Sequence, residues 1–253
     1  MKRTNETEFV IVVPSFNNEP WVEKNLSSIL SQNYPHFQLI YIDDASTDKT
    51  LQLAKAFIKK HRFQKSASIL HNKERIGSLA NLYNTIQTIH PHKVVLIVDG
   101  DDFLAHENVL QRIADEYANK AVWMTYGNFK TEPFILGRHA AELPASASIR
   151  TFPDWTIHHP LTFYAKLFHQ IQKKDLLTKG QFFMTTGDIA IDLPLFEMAT
   201  TKHAKFIPEI LYIHNLLNPL SDFRSQMKAQ LKAGALIRKK RPYKPLQTLF
   251  EKT

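Results

Sequence analysis

Four short apolar runs recur through the first part of the chain, and each stops abruptly at polar or acidic residues. They are Phe9–Val13, Phe37–Ile42, Ala67–Leu70 and Val94–Val98. Runs this short and this continuous suit strands buried on both faces, the kind found in a parallel sheet covered by helices. The intervals between them carry helical patterns. Val22, Leu26, Ile29 and Leu30 share one face, with Asn17 or Asn18 placed to cap that helix and Pro20 near its first turn. Asp48 opens a second helix, with Leu51, Ala54, Phe57 and Ile58 as its apolar positions, and Ile76–Ile89 reads as a third. This rhythm predicts right-handed crossovers and an α/β fold with a mostly parallel sheet flanked by helices.

Beyond the fourth strand, Val109, Leu110 and Ile113 predict a helix and Ala121–Tyr126 a strand. The stretch 131–160 carries Pro133, Pro144, Pro153 and Pro160 and reads as an irregular excursion, a lid or acceptor loop. Leu161–Ile171 and Ile189–Thr201 read as helices, the second kinked or restarted at Pro194. Lys205–Ile213 reads as extended and Phe223–Ile237 as an amphipathic helix. The chain then divides at 130 into a sheet-building half and a half, 131–253, that ends in a helical extension of the same domain.

The formal net charge of +8 favours anionic partners: nucleotides, phosphates, acidic glycans, anionic lipid or nucleic acid. Arg238 to Arg241 and Lys244 concentrate part of that charge, either as a solvated helix end or as a patch for a membrane surface or acceptor. There is no cysteine, which excludes disulfides and thiolate chemistry. No apolar run approaches the roughly 18–20 residues of a membrane span. Met1 to Glu8 lack a signal-peptide core, so a cytoplasmic setting is expected, peripheral to the inner membrane face if the basic region engages it.

Polar groups gather after successive strands: Ser15-Phe16-Asn17, Asp43-Asp44, Asn72 to Arg75 and Asp99 to Asp102. In an open parallel sheet these loops converge on one rim, where ligands bind. The last group is the most demanding, because Asp99, Asp101 and Asp102 repel one another unless a cation joins them. Asp99 and Asp101, separated by Gly100, form an oxygen pair suited to a hard divalent metal. The chain holds only seven glycines and neither a G-x-G-x-x-G nor a G-x-x-x-x-G-K-[ST] loop, so a backbone cradle for a diphosphate is not expected. A metal on Asp99 and Asp101, helped by Arg75, would neutralise the diphosphate of a nucleotide-activated donor instead.

The segments Phe9–Asn17, Ser28–Tyr34, Leu39–Asp48 and Val98–Asp102 together resemble glycosyltransferase family 2, in that family's order and spacing. Thr162–Ala165, Gly187-Asp188, Pro194–Met198 and Ile207–Asn215 resemble a bacterial branch of it. The resemblance implies a GT-A fold and transfer of a sugar from a nucleotide-diphospho-sugar, a UDP-sugar first, to an acceptor hydroxyl on a glycan, lipid or protein, with inversion. It implies that Pro14 and the residues after it, Phe16 among them, line the base pocket and that Asp44 accepts a hydrogen bond from the base. Asn72 and Arg75 would meet the base or diphosphate, with Asp99 and Gly100 toward the ribose. Asp99 and Asp101 would hold Mg²⁺ or Mn²⁺; independently of the resemblance, His214 is a candidate third ligand, because an imidazole from the C-terminal part suits such a site, against a purely structural role beside an apolar strand. Asp188 would be the general base, where the family often has Glu-Asp and this chain has Gly187-Asp188. Asp192 and Glu197 are alternative bases, and Asp102 is expected to support rather than ligate. Trp155, His158, His159 and Tyr164 are candidates to stack on a sugar.

Two other classes fit parts of the pattern. Nucleotidyl transfer onto a sugar phosphate uses related sheets, but would call for a glycine-rich basic loop where Pro14–Asn17 stands. A non-catalytic module for polyanions or membranes accounts for the charge but not for an acidic rim. No nucleic-acid partner is expected.

Overall fold

The computed structural model describes residues 6–134, 141–143, 149–150, 157, 159–220 and 227–251. Its first part follows the predicted alternation: β1 (Phe9–Ser15), α1 (Val22–Leu30), β2 (Phe37–Asp43), α2 (Thr50–Lys60), β3 (Ala67–His71), α3 (Ser78–Ile86) and β4 (Val94–Ile97). A two-residue strand β5 (Phe103–Leu104), α4 (Val109–Tyr117) and the long β6 (Met124–Glu132) follow. Then come β7 (Thr162–Tyr164), α5 (Ala165–Phe168), the hairpin β8 (Leu177–Thr178) and β9 (Gln181–Phe182), α6 (Gly187–His203), β10 (Ala204–Asn215) and α7 (Met227–Arg238).

Eight strands form one sheet in the order β3-β2-β1-β4-β7-β6-β10-β5. The first four run parallel; β7 enters antiparallel between β4 and β6, and β5 lies antiparallel on β10. The strand period of two divides the core. Val10, Val12, Val95 and Ile97 face α3, α5 and α6, whereas Phe9, Ile11, Val13, Leu96 and Val98 face α1, α2 and α4. Burial on both faces is why β1 and β4 read as unbroken apolar runs.

Three local expectations fail. Neither Asn17 nor Asn18 caps α1 with its side chain: the Asn18 carbonyl accepts the Trp21 and Val22 N–H groups instead. Leu161–Ile171 is not one helix, because Thr162–Tyr164 pairs between β4 and β6 before the chain turns into α5. Tertiary pairing overrode an apolar pattern that suits either element. Pro194 does not interrupt α6; the non-helical residue is Thr200, at φ 55° and ψ 177°. Of the 131–160 excursion, Trp155 and His158 lie outside the described residues.

Candidate active site

The four predicted loops do meet. Pro14 and Ser15 at the end of β1 with Phe16 and Asn18 after it, Asp44 after β2, Arg75 after β3, and Asp99, Gly100 and Asp101 after β4 line one cleft, with Ser78 and Asn81 of α3. The chain places each group there for a local reason. Asp43 is fully buried and engages His71 Nδ1 at 2.9 Å, so its neighbour Asp44 is the one that faces the cleft. Asp44 accepts from Ile76 N–H at 3.0 Å, Gly77 N–H at 2.8 Å and Asn72 Nδ2 at 2.8 Å. Burial alone would raise its pKa, but these donors and Asn81 outweigh it and hold the carboxyl below its ordinary range. Asn72 thus acts on the site through Asp44 and Asn81. The Arg75 guanidinium stacks 3.9 Å from the centre of the Phe16 ring, which closes one side of the cleft.

Gly100 is needed for space. A Cβ there would stand 2.6 Å from both Asn18 Nδ2 and Ser15 Oγ. The turn after β4 is held from α1, where the buried Asn25 donates to the carbonyls of Asp99 (2.9 Å) and Asp102 (2.8 Å). Sequence reasoning missed Asn25, although a polar residue within the stripe Val22, Leu26, Ile29 was a visible signal.

The three carboxylates of this turn have different fates. Asp102 is fully buried and accepts from Tyr212 OH at 2.9 Å, His214 Nδ1 at 3.0 Å and Asn215 N–H at 2.8 Å. It ties the turn to the end of β10, the supporting role expected of it. Asp101 has one partner from the loop after β10, Asn218 Nδ2 at 2.7 Å, and Asn218 also donates to Asn18. Burial, then the charge of Asp102, pushes the Asp101 carboxyl up to about 6. Burial and the charges of Asp102 and Asp101 push Asp99 well above its ordinary value. Burial opposes a charged His214, but its bond to Asp102 and the charges of Asp102, Asp99 and Asp101 raise it to about 9.

This cluster is short of positive charge, and its donor set suits a divalent cation. The two oxygen donors, Asp99 and Asp101, lie beside an imidazole whose Nδ1 is already oriented by Asp102. Among the described residues no three such side chains are already gathered at ligand spacing, so the side chains would have to close on the ion.

Asp188 stands in the first turn of α6, behind Thr186, whose left-handed backbone (φ 63°, ψ 31°) turns the chain into the helix. A β-branched residue in that conformation is strained, as residues that aim functional groups often are. Asp188 is exposed at the surface; desolvation by the protein around it outweighs the Ile189 and Asp188 N–H groups and raises its pKa, and its charge is felt at Asp99. Asp192, one turn on, is buried, and burial followed by the charge of Asp188 raises it strongly. Glu197 is committed elsewhere: it pairs with Arg150 and accepts the Tyr243 N–H. Of the aromatic candidates, Tyr164 packs against Tyr117 and Phe250, and His159 stacks on Tyr212 at 4.7 Å. Both are packing contacts within the protein.

The model of the family described as "Glycosyl transferase family 2" matches residues 10–186. The chain belongs to this family. Among curated family 2 relatives, the poly(ribitol-phosphate) beta-N-acetylglucosaminyltransferase TarS of Staphylococcus aureus (strain MW2) is 23% identical over 204 residues, 79% of this chain and 33% of TarS. EpsJ of Bacillus subtilis (strain 168), an uncharacterized glycosyltransferase, is 26% identical over 213 residues, 81% of this chain and 60% of EpsJ. The chain thus spans about a third of the length of TarS. The crystal structure of a TarS fragment in complex with UDP-GlcNAc superposes with a TM-score of 0.66 at 16% identity, covering 91% of this chain and 66% of the fragment. A mannosyltransferase from Pyrobaculum calidifontis, in complex with GDP-Man and Mn²⁺, gives 0.64 at 18% identity, covering 95% and 67%. The fold is therefore the GT-A fold of family 2, a curled, mostly parallel sheet with a helical C-terminal part.

Proposed function

We propose that this chain transfers a sugar from a nucleotide-diphospho-sugar to an acceptor hydroxyl, with inversion. One observation carries the reading: a cleft built from all four β-strand loops ends in the carboxylates Asp99 and Asp101, and the charge of Asp188, in the first turn of α6, is felt at Asp99. The base would lie against Pro14 and Phe16, near Asp44 and the Asp44-held loop from Asn72 to Arg75. Arg75 would approach the diphosphate, and Asp99 with the Gly100 backbone would approach the ribose. Asp99, Asp101 and His214 would hold Mg²⁺ or Mn²⁺, which when bound neutralises the diphosphate leaving group.

Asp188 takes the proton of the acceptor hydroxyl as that oxygen attacks the anomeric carbon from the face opposite the nucleotide. A raised pKa suits it, since a general base works best near the operating pH. Burial and the charge of Asp188 push the Asp192 carboxyl well above its ordinary value, and its burial makes it the less accessible base. A UDP-sugar is the first donor to test, given the UDP-GlcNAc complex of the TarS fragment.

The test is a thermal-shift panel of UDP-, GDP-, CDP- and dTDP-sugars with and without Mn²⁺. Because a ligand of the folded state alone raises the melting temperature, the true donor shifts it in a metal-dependent way. No shift with any sugar nucleotide would remove the reading. Release of pyrophosphate rather than nucleoside diphosphate would point to nucleotidyl transfer.

A further inference from the structure

α7 carries an outward face of unusual chemistry. Met227, Leu231 and Ala235 line up at intervals of one turn and are all exposed, Leu231 at 71% and Met227 at 54%. Beside them runs a second exposed stripe of Lys228 and Lys232, with Lys239 just past the helix end, and Leu236 lies exposed beyond it. The inner face, Gly234 and Ile237, is buried. The surface helix α2 provides a contrast within the same molecule. It is also lysine-rich, but its exposed positions are Gln52, Lys55, Ala56, Lys59 and Lys60, with no large apolar side chain. That is an ordinary solvated face; α7 is not.

The charge around α7 is one-sided. Residues 227–250 hold seven Lys and Arg and no Asp or Glu. Lys240 Nζ donates to the carbonyls of Lys174 and Leu177, which brings the exposed Lys173, Lys174 and Lys179 near the C-terminal end of α7. Two acids nearby are engaged within the protein: Asp175 accepts from Tyr243 OH, and Glu197 pairs with Arg150. No helix among the described residues is long and apolar enough to cross a membrane. Basic residues flanking exposed leucine and methionine on one helix are the pattern of a helix lying in a lipid headgroup layer.

We propose that the exposed face of α7 docks on an anionic lipid bilayer and so presents a lipid-borne acceptor to Asp188. The second clause rests on the transfer reading; the first stands alone. Lysines by themselves would fit any polyanion, including a soluble phosphate polymer. Leu231, Met227 and Leu236 would gain nothing from such a polymer, whereas each can enter the acyl boundary of a bilayer. Position supports the acceptor role. α7 packs directly on the start of α6: Thr186 Oγ1 donates to the Gln230 carbonyl, and a Cβ at Gly234 would already touch Ile189 and Thr186. These residues flank Asp188, so the lipid-facing side of α7 would lie one helix away from the proposed base.

The test is flotation of the full chain with phosphatidylcholine vesicles, with and without phosphatidylglycerol, in the absence of donor. Binding is expected only with phosphatidylglycerol and falls as salt rises. Leu231→Asp should lower partitioning about tenfold or more, and Lys228→Glu and Lys232→Glu about fivefold each or more. No vesicle binding overturns the proposal. Binding unchanged by Leu231→Asp, matched by equal affinity for soluble polyphosphate, overturns it in favour of a polyanion patch. Leu231 is exposed, so its variant should keep the wild-type melting temperature and sugar-nucleotide shift. Vesicle binding without any sugar-nucleotide shift would sink the transfer reading and leave the docking intact.

Discussion

The loops after β2 and β4 both deliver carboxylates to the same cleft, and their environments are opposite. Asp44 is met by two backbone N–H groups and the Asn72 amide, and its pKa falls. Asp99 and Asp101 share one turn with the buried Asp102, and burial and the neighbouring negative charge raise their pKa values. One carboxylate is satisfied by its own fold and organises a loop. The others sit in a turn held by Asn25 and Gly100, where Asn218 and the nearby His214 imidazole offset only part of the negative charge, which suits a cation or cationic ligand. Buried carboxylates therefore divide here into structural and chemical ones according to what donates to them.

Substitutions should separate the two kinds. Asp101→Asn is expected to abolish metal-dependent transfer, by about 10³-fold or more, while leaving the melting temperature unchanged or higher, because a repelling charge is removed. A large loss of stability in that variant would erase the contrast. Asp188→Asn should lower kcat by roughly 10²–10⁴-fold with donor affinity unchanged. In the wild type, kcat should climb with pH as Asp188 loses its proton above the ordinary carboxylate range, and the Asn variant should lack that limb.

Asp44→Ala should behave in the reverse sense to Asp101→Asn. It leaves the Ile76 and Gly77 N–H groups without their acceptor and should cost about 3 kcal/mol in denaturant unfolding. The depressed pKa of Asp44 sets the sign with pH: its contribution is complete above the ordinary carboxylate pKa and is lost as pH falls through the lower folded value. Asp44→Ala should therefore flatten part of the acid limb of stability. Gly100→Ala, which forces a Cβ against Ser15 and Asn18, should cost about 1–3 kcal/mol and weaken donor binding. The smallest effect is expected from Phe16→Ala, which removes the platform under Arg75 and should raise the donor KM a few-fold.

Legibility along the chain follows sequence separation. The rim from Pro14 to Asp101 was readable because each strand runs directly into its loop, so an apolar run ending in polar residues identifies both. Choosing Asp44 over Asp43 came from the family resemblance; the structure supplies the reason, since Asp43 turns inward to His71. Asn218 and Tyr212 were not legible. Both reach the turn after β4 from more than a hundred residues away, and nothing in their own neighbourhoods announces it. The same holds for Glu197, a candidate base by proximity in sequence, which Arg150 claims from the excursion. β7 was misread as helix because its apolar pattern suits either element, and only the gap between β4 and β6 decided it.

The order of strands and helices as far as β4, the convergence of four loops and the identity of the repelling carboxylates were determined by the sequence alone, because periodicity and strand ends are local properties. Which carboxylate is met by donors and which is raised by burial and its neighbours was decided by tertiary structure. That outcome depends on donors brought from α1, β10 and the loop beyond it, and a chain shows the partners of a buried charge only once distant segments have packed around it.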